Sequence, residues 1–417
     1  MSFLEQNITL WGEDIPWLSG LREKGFRAFN STGWPNAKTE AWKYSYFPQS
    51  VSDAYKIDTA PHHCDENCHC HHHEETLTPF AVYPIKFCDG KLATEQFDLP
   101  TGITIKPLVE AVFDGDAKTY LAKSFDIQNF PFAALNTAYI EQGVMMIVER
   151  KTKLDKPILI EYHHHKEKPL FNNIRNIFVI ESGAKASVVE YFVADDGARY
   201  FNNVVNEIYV RENAELNHYI LQKEAFSAYH VALNSVQVRQ NGIYNGFCAQ
   251  SECVLSRVES YICLQQEGAN AEMNGAYRLN QNGVSDITTN IRHLAPHTIS
   301  NQLVKGVVGG TAKGVFQGQI HIAPDAQQTE GHQLHRALLL SDDAEVAAKP
   351  ELEIFADDVK CSHGNTCGDL DSEHLFYMQS RGIPLEEAKR ILIEAHIAEA
   401  FEKIKDQDIK DWFKNNF

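Results

Sequence analysis

The strongest constraint on the fold is a long succession of short strand-like segments between residues 144 and 355, which no long helical pattern interrupts. Each segment alternates apolar and polar residues or is rich in β-branched residues, which is typical of strands. The predicted strands cover residues 144–149, 157–162, 174–180, 186–192, 204–210, 215–221, 231–238, 257–264, 286–292, 302–308, 315–322, 333–340 and 352–355. Three architectures are compatible with such a succession of strands: stacked coils, a sandwich or an open barrel.

Several of these strands begin with the same turn signature. Gly183, Asn213 and Gly268 each precede an Ala that opens an alternating stretch. Glycine and asparagine tolerate a positive φ and turn the chain, while the small residue faces inward. Repeated turn-and-strand units without helices favour coils stacked into a solenoid. A sandwich or barrel with the same number of strands remains the alternative.

Helical patterns flank this region on both sides. The pattern divides the chain into an N-terminal, mainly helical domain (1–143), a β core (144–368) and a C-terminal helical domain (369–417). Asp371 caps one C-terminal helix, Gly382 ends it and Pro384 starts a second one. The second helix carries an apolar stripe that either buries itself internally or docks a partner protein. The predicted docking residues are Leu385, Ala388, Ile391, Leu392, Ala395, Ala398 and Phe401.

Charge and composition exclude several classes of protein. The formal net charge of −18 argues against nucleic-acid binding, which depends on clustered Lys and Arg. No apolar run is long enough to cross a bilayer, and the N-terminus lacks the features of a signal peptide. The nine cysteines are therefore expected to be thiols in a cytoplasmic protein. We expect no membrane association.

The segment 353–364 carries the most distinctive chemistry of the chain. It combines an apolar strand with Asp357, Asp358, Cys361 and His363. If the backbone is extended, Cys361 and His363 share one face and Ser362 points away. A thiolate beside an imidazole suits iron, iron–sulfur clusters, zinc or copper. Because two ligands are too few to hold a metal, a second segment or a second chain would have to complete the site.

This segment and others resemble the SufB/SufD family of the SUF iron–sulfur cluster assembly system. The resemblance covers residues 286–297, 305–308, 314–318, 326–329, 338–341 and 349–364, and more weakly 34–44 and 132–138. The Cys-Ser-His-Gly ending is similar to the SufD branch. The resemblance implies a mainly β fold, with a right-handed parallel β-helix between helical terminal domains. It also implies pairing with SufB along the β-helix and recruitment of the SufC ATPase by the C-terminal helices, with a homodimer in isolation as a further option.

The resemblance further implies that Cys361 and His363 face the interface with SufB and contribute ligands to a transient iron–sulfur cluster or iron. Asp357 and Asp358 are candidates for contacts that tune these ligands, although such acids are more often solvated. Cys367 departs from the family pattern and would add a donor near the site or be a buried thiol. We expect burial, because free cysteine is among the most buried residue types.

A second cluster of metal-binding residue types lies in 62–73. Its spacing matches no fixed tetrahedral site, so it is interpreted as a loop that binds transition metals opportunistically, or as a disordered insertion. Its donors are His62, His63, Cys64, Cys68, His69, Cys70, His71, His72 and His73. The run His163–His165 is a shorter cluster of histidines and is interpreted as a strand end on the surface.

The glycine-rich stretch 306–314 lacks the Gly-Lys-Ser/Thr ending of a phosphate loop and is predicted to form solenoid turns. No nucleotide is therefore expected to bind this chain, and the expected role is that of a non-catalytic scaffold. Two alternatives remain: a metal-storage or chaperone protein acting through 62–73, and a β-helix carbohydrate-active enzyme. The latter would need paired carboxylates in a cleft.

Overall fold

The chain forms a parallel β-solenoid of about seven turns, with helices towards both ends, in a computed structural model that describes residues 8–48, 50–58, 78–165 and 168–417. Strands account for 43% of the structure and helices for 21%. The predicted mainly β solenoid is confirmed, and the sandwich and barrel alternatives are wrong. The right-handed sense of the coil stays a prediction.

The strands fall into two sheets that face each other across the solenoid interior. In the described residues they are β1 (Tyr83–Cys88), β2 (Lys91–Leu92), β3 (Ile103–Pro107), β4 (Val144–Val148), β5 (Ile158–His164), β6 (Leu170–Ile180), β7 (Lys185–Ala194), β8 (Tyr200–Val210), β9 (Glu215–Lys223), β10 (Tyr229–Val238), β11 (Ile243–Gln250), β12 (Leu255–Leu264), β13 (Asn270–Leu279), β14 (Val284–His293), β15 (Ile299–Val308), β16 (Lys313–Ile322), β17 (Thr329–Leu339), β18 (Glu345–Ile354) and β19 (Val359–Gly368). One sheet has ten strands in the order β19-β17-β15-β13-β11-β9-β7-β5-β1-β2, and the other has nine in the order β18-β16-β14-β12-β10-β8-β6-β4-β3. All pairings from β4 and β5 onwards are parallel.

The interior of the solenoid combines apolar stacks with a polar ladder. Valine, isoleucine and leucine side chains from both sheets form one buried cluster. Within it, Asn176 donates to Asn206 (2.9 Å) and Asn206 donates to Asn234 (2.8 Å), so the amides bond from coil to coil. Glu190 accepts from Asn206 and Tyr162 in the same interior. Asn176, Asn206 and Glu190 thus gain partners, which offsets much of their desolvation cost.

Two glycines of the stretch 306–314 make room for a ring. A Cβ on Gly306 or Gly314 would lie 2.1 Å or 2.4 Å from the ring of Tyr277. Gly310 has φ +60° at the turn between β15 and β16. Gly310 therefore forms a turn, as predicted, whereas Gly306 and Gly314 lie within strands and serve coil packing.

The helices of the described residues are α1 (Pro16–Thr32), α2 (Val51–Ala54), α3 (Leu108–Phe113), α4 (Pro131–Ala138), α5 (Ser372–Ser380), α6 (Leu385–Phe401) and α7 (Gln407–Asn416). Short 3₁₀ turns occur at Glu40–Trp42, Asp116–Thr119 and Ile127–Asn129. The region 1–143, expected to be mainly helical, also supplies β1, β2 and β3, which extend the two sheets. The division into three domains stays a prediction.

The C-terminal helices lie on a face of the solenoid and leave its end open. Phe401 of α6 and Trp412 and Phe413 of α7 pack with Tyr219 and Phe247 of the ten-stranded sheet. β18 and β19 are the outermost strands of their sheets in the described part of the chain. The aromatic side chains favour the sheet face because it buries more apolar surface than an edge does.

Candidate metal centre

The candidate ligands Cys361 and His363 lie on β19, the last strand of the ten-stranded sheet. β19 pairs in parallel with β17, so that Cys361 is opposite Gly331 and His363 is opposite Gln333. Gln333 is buried, with 2% of its surface exposed, and paired residues of a parallel ladder point to the same side. Both candidate ligands therefore face the solenoid interior at its open end, on one face, as the alternation predicts.

The open end leaves both side chains accessible. Cys361 is half-buried against the apolar cluster of the last coils, and His363 is exposed. Burial raises the pKa of the Cys361 thiol, and a backbone hydrogen bond from Gly331 partly opposes this shift. Since a metal binds the thiolate, binding at Cys361 must expel a proton. The pair supplies two donors and leaves room for ligands from elsewhere.

Asp357 and Asp358 form part of the turn that leads into β19. Both are exposed. The backbone of Asp358 accepts from the Gln328 amide (2.6 Å) and donates to the Gln327 side chain (2.9 Å). These bonds fix the turn between coils, and the tuning of ligands by the two carboxylates stays a prediction.

Cys367 is exposed, so the expected burial is wrong. Its spacing of four residues from His363 places it on the same face, but roughly 13 Å farther along an extended strand. The two side chains therefore do not share one ion in this conformation. Burial of the sulfur, followed by the nearby Asp369, raises the pKa of the Cys367 thiol. Cys367 is exposed because no further coil covers β19 in the described residues.

Two histidines of β17, His332 and His335, lie on opposite sides of the sheet. His332 Nδ1 lies 2.8 Å from Ser362 Oγ on the outer side. His335 is fully buried between Tyr277 (2.8 Å) and Asn365 (2.8 Å), and burial lowers its pKa to about 4. His335 is therefore a neutral interior residue.

A cavity of about 690 Å³ opens between the last strands and α6. His332, Ser362, His363, Glu402 and Lys403 are among its lining residues. The sequence pattern did not predict this cavity, because it forms between a strand and a helix that are far apart in the chain. It lies on the outer side of the ten-stranded sheet, to which His332 and Ser362 point, beside the C-terminal helices.

The predicted docking stripe of α6 is divided by the fold. Ala388 and Phe401 are buried within the chain and cannot contact a partner in this conformation. Leu385 and Ala395 are exposed, while Ile391, Leu392 and Ala398 are half-buried. Phe401 packs on the ten-stranded sheet because an amphipathic helix lowers its free energy by covering apolar surface.

An exposed apolar surface lies instead on α5, which buries none of its residues. Phe376 is 73% exposed and Tyr377 is 57% exposed. Asp371 caps this helix, as predicted, by accepting from the amides of Glu373 and His374. The segment 62–73, predicted to bind transition metals, lies outside the described residues.

Within the described residues, no helix has both the length and the apolar character needed to span a membrane. A family model for the SUF system FeS cluster assembly SufBD core domain matches residues 163–396. A second model, for the SufBD protein N-terminal region, matches residues 2–160. Together the two matches extend over most of the chain.

Full-length relatives agree with these matches. The chain is 32% identical to the iron–sulfur cluster assembly protein SufD of Escherichia coli over 91% of its own length and 87% of the relative. It is 30% identical to the chloroplastic protein ABCI7 of Arabidopsis thaliana over 96% and 85% of the two chains. It is also 31% identical to a SufBD family protein of Synechocystis over 74% and 70%. The chain therefore belongs to the SufBD family of iron–sulfur cluster assembly proteins of the SUF system, and its relatives include proteins named SufD.

Proposed function

We propose that this chain is a non-catalytic scaffold subunit that presents Cys361 and His363 to a nascent iron–sulfur cluster at an interface with SufB. The observation that carries the proposal is the position of both side chains on one face at the open end of the solenoid. Two donors cannot complete the coordination of an iron, so a neighbouring subunit has to supply the others. The iron or cluster is the cargo of the assembly reaction.

The open end also supports pairing with a second solenoid. β18 and β19 are each ten residues long, and each is the outermost strand of its sheet in the described residues. Exposed strand edges carry backbone groups that bind a further strand. A SufB solenoid that docks here would cover the edges and approach Cys361 and His363 at the same time.

The first experiment separates ligation from assembly of the complex. The chain is reconstituted with SufB and SufC, and cluster formation is followed by visible absorption. The variant His363→Ala should lose cluster formation while the complex keeps its subunit composition, and Cys361→Ser should lower the yield. The matched control His297→Ala removes an exposed imidazole at the turn between β14 and β15. An unchanged yield in His363→Ala would refute the proposed role.

We also propose that the C-terminal helices recruit the SufC ATPase, with α5 as the main contact. The exposed rings of Phe376 and Tyr377 supply the kind of apolar anchors that dominate protein interfaces. Leu385, at the start of α6, would extend the same contact. Nucleotide-driven motion of SufC would then reach the solenoid through α6 and α7, which pack on its face.

The docking proposal predicts that Phe376→Ala weakens SufC binding by at least about 1 kcal/mol, as expected for a buried aromatic anchor. The control Phe113→Ala removes another exposed ring, 58% exposed, from the N-terminal region. Binding of SufC is measured by calorimetry with the intact chain. Equal affinities of the two variants would contradict docking at α5.

The segment 62–73 carries the alternative of metal storage. Its deletion should leave cluster assembly intact if the scaffold reading holds, whereas lost assembly would favour the storage reading. Membership of the SufBD family favours an assembly role over the carbohydrate-active alternative. A cytoplasmic location stays a prediction.

A further inference from the structure

Cys88, Asp89 and His165 bring three different metal-binding groups together at the start of the solenoid. Their donor atoms all lie within 4.8 Å of one another. The pair of atoms His165 Nδ1 and Cys88 Sγ is 3.4 Å apart, and His165 Nδ1 lies 3.0 Å from Asp89 Oδ2. The sulfur of Cys88 and a carboxylate oxygen of Asp89 thus both lie close to one imidazole nitrogen of His165.

The backbone holds this cluster in place. Asp89 and Gly90 form the turn between β1 and β2, with φ values of +47° and +80°. Two such positive values suit the tight hairpin turns that favour Asp-Gly. The Asp89 amide donates to the His163 carbonyl (2.9 Å), and the His165 amide donates to Asp89 Oδ1 (3.0 Å). The carboxylate and the imidazole are therefore positioned by the hairpin and by the end of β5.

The spacing of the donors is close to that of a tetrahedral metal site. With bonds of about 2.3 Å to sulfur and about 2.0–2.2 Å to nitrogen and oxygen, ligand atoms around zinc lie roughly 3.4–3.6 Å apart. The two observed separations need to open by only a few tenths of an ångström. Side-chain rotations of that size fit within the cluster without rearrangement of the backbone.

The charges are also balanced. Cys88 and Asp89 are buried, with 1% and 5% of their surfaces exposed, while the His165 side chain is 28% exposed and leads to solvent. A thiolate and a carboxylate together cancel the charge of a divalent cation, which reduces the cost of burying that ion. Sulfur and imidazole donors favour zinc, cobalt or ferrous iron over magnesium or calcium.

We propose that Cys88, Asp89 and His165 bind a divalent transition metal ion, with a fourth position left for water or a transferred ligand. The ion takes the place of the His165 Nδ1 proton, which moves to Nε2, and the Cys88 thiol releases its proton to solvent. The site is separate from the terminal strand: eight strand-to-strand steps lie between β1 and β19, which is roughly 40 Å. It does not depend on the proposed scaffold role.

The test uses the full chain without the competing thiols of 62–73, Cys361 and Cys367 and without the histidines of 62–73. This background chain has Ser for each Cys and Asn for each His of 62–73, together with Cys361→Ser and Cys367→Ser. Its remaining thiols besides Cys88 are Cys248, Cys253 and Cys263, all buried. Co²⁺ is titrated under reducing conditions, and binding is read from the thiolate-to-cobalt absorption band and from calorimetry.

The background chain should bind one Co²⁺ with a thiolate band. Cys88→Ser should abolish the band, and Asp89→Asn, which keeps a residue suited to the turn, should weaken binding by at least about tenfold. The controls Cys263→Ser and His163→Asn should leave band and affinity unchanged. At the same concentration, added Co²⁺ should raise the thermal unfolding midpoint of the background chain by more than that of Asp89→Asn. A background chain without the band, or an unchanged affinity in Asp89→Asn, would overturn the assignment.

Discussion

The substitution Glu207→Ala should destabilise this protein strongly, because Glu207 forms a buried ion pair with Arg175 and also bonds the N-terminal region to the solenoid. Its Oε1 accepts two hydrogen bonds from Arg175, at 3.1 Å and 2.6 Å, and both side chains are fully buried. The carboxylate also accepts from the backbone amides of Ala122, Lys123 and Ser124 and from the Ser124 hydroxyl. Alanine would leave a guanidinium without its carboxylate in the interior.

The expected loss is about 3–5 kcal/mol, the range found when one partner of a buried pair is removed. Most of this loss is the cost of the uncompensated Arg175, so the double variant Arg175→Met/Glu207→Leu should lose less than Glu207→Ala alone. The exposed pair of Glu23 and Arg27 is the matched control. Glu23→Ala should cost at most about 0.5 kcal/mol, as for other exposed helix pairs.

Unfolding in guanidinium chloride, followed by circular dichroism and by tryptophan fluorescence, measures these differences where the two signals coincide. Hydrogen exchange adds a local readout, since the amides of residues 122–124 should lose protection in Glu207→Ala. The reasoning is refuted if Glu207→Ala and Glu23→Ala change the free energy of unfolding by the same amount.

Three further perturbations test other parts of the structure. Burial lowers the pKa of His335 to about 4, so the unfolded chain binds a proton at this residue that the folded chain does not. Stability should therefore fall as the pH drops from about 6.5 towards 4, and His335→Gln should flatten this fall in pH-dependent unfolding. Gly306→Ala should destabilise the protein by about 1–3 kcal/mol because the new methyl group meets the Tyr277 ring. Gly20 in α1 has open space around it, so Gly20→Ala should stabilise the protein by up to about 1 kcal/mol. Thermal unfolding measures both changes. Asp371→Ala removes the cap of α5 and should speed hydrogen exchange in that helix by an amount equivalent to about 1 kcal/mol, and unchanged exchange would contradict the capping role.

Some strands escaped sequence analysis because their polar residues obscure the alternation. β13 (Asn270–Leu279) contains Asn270, Glu272, Asn274 and Arg278 among its apolar residues, and only the turn signature before it marked its position. In the solenoid such side chains gain partners on neighbouring coils. For example, Asn274 Oδ1 accepts from the Leu303 amide on β15. The hydrogen-bond partner lies on a neighbouring coil, so the residue pattern of β13 alone does not reveal that its polar side chains suit a strand.

The candidate metal centre was also predicted only in part from the sequence. Alternation along 359–368 was enough to place Cys361 and His363 on one face, since that relation depends only on neighbouring residues. The exposure of Cys367 and the burial of Ala388 and Phe401 depend on which coil is the last one and on where α6 packs. Neither can be read from local periodicity.

By itself the sequence determined the repeating turn and strand units, the glycine turns, the helix caps and the spacing of the terminal ligand pair. These features follow from backbone preferences that act over a few residues. The open end of the solenoid depends on the tertiary structure, and so does the meeting of Cys88 and Asp89 with His165, which lies 77 and 76 residues farther along the chain. Such meetings depend on the register between coils, which is set by burial and hydrogen bonding summed over the whole stack.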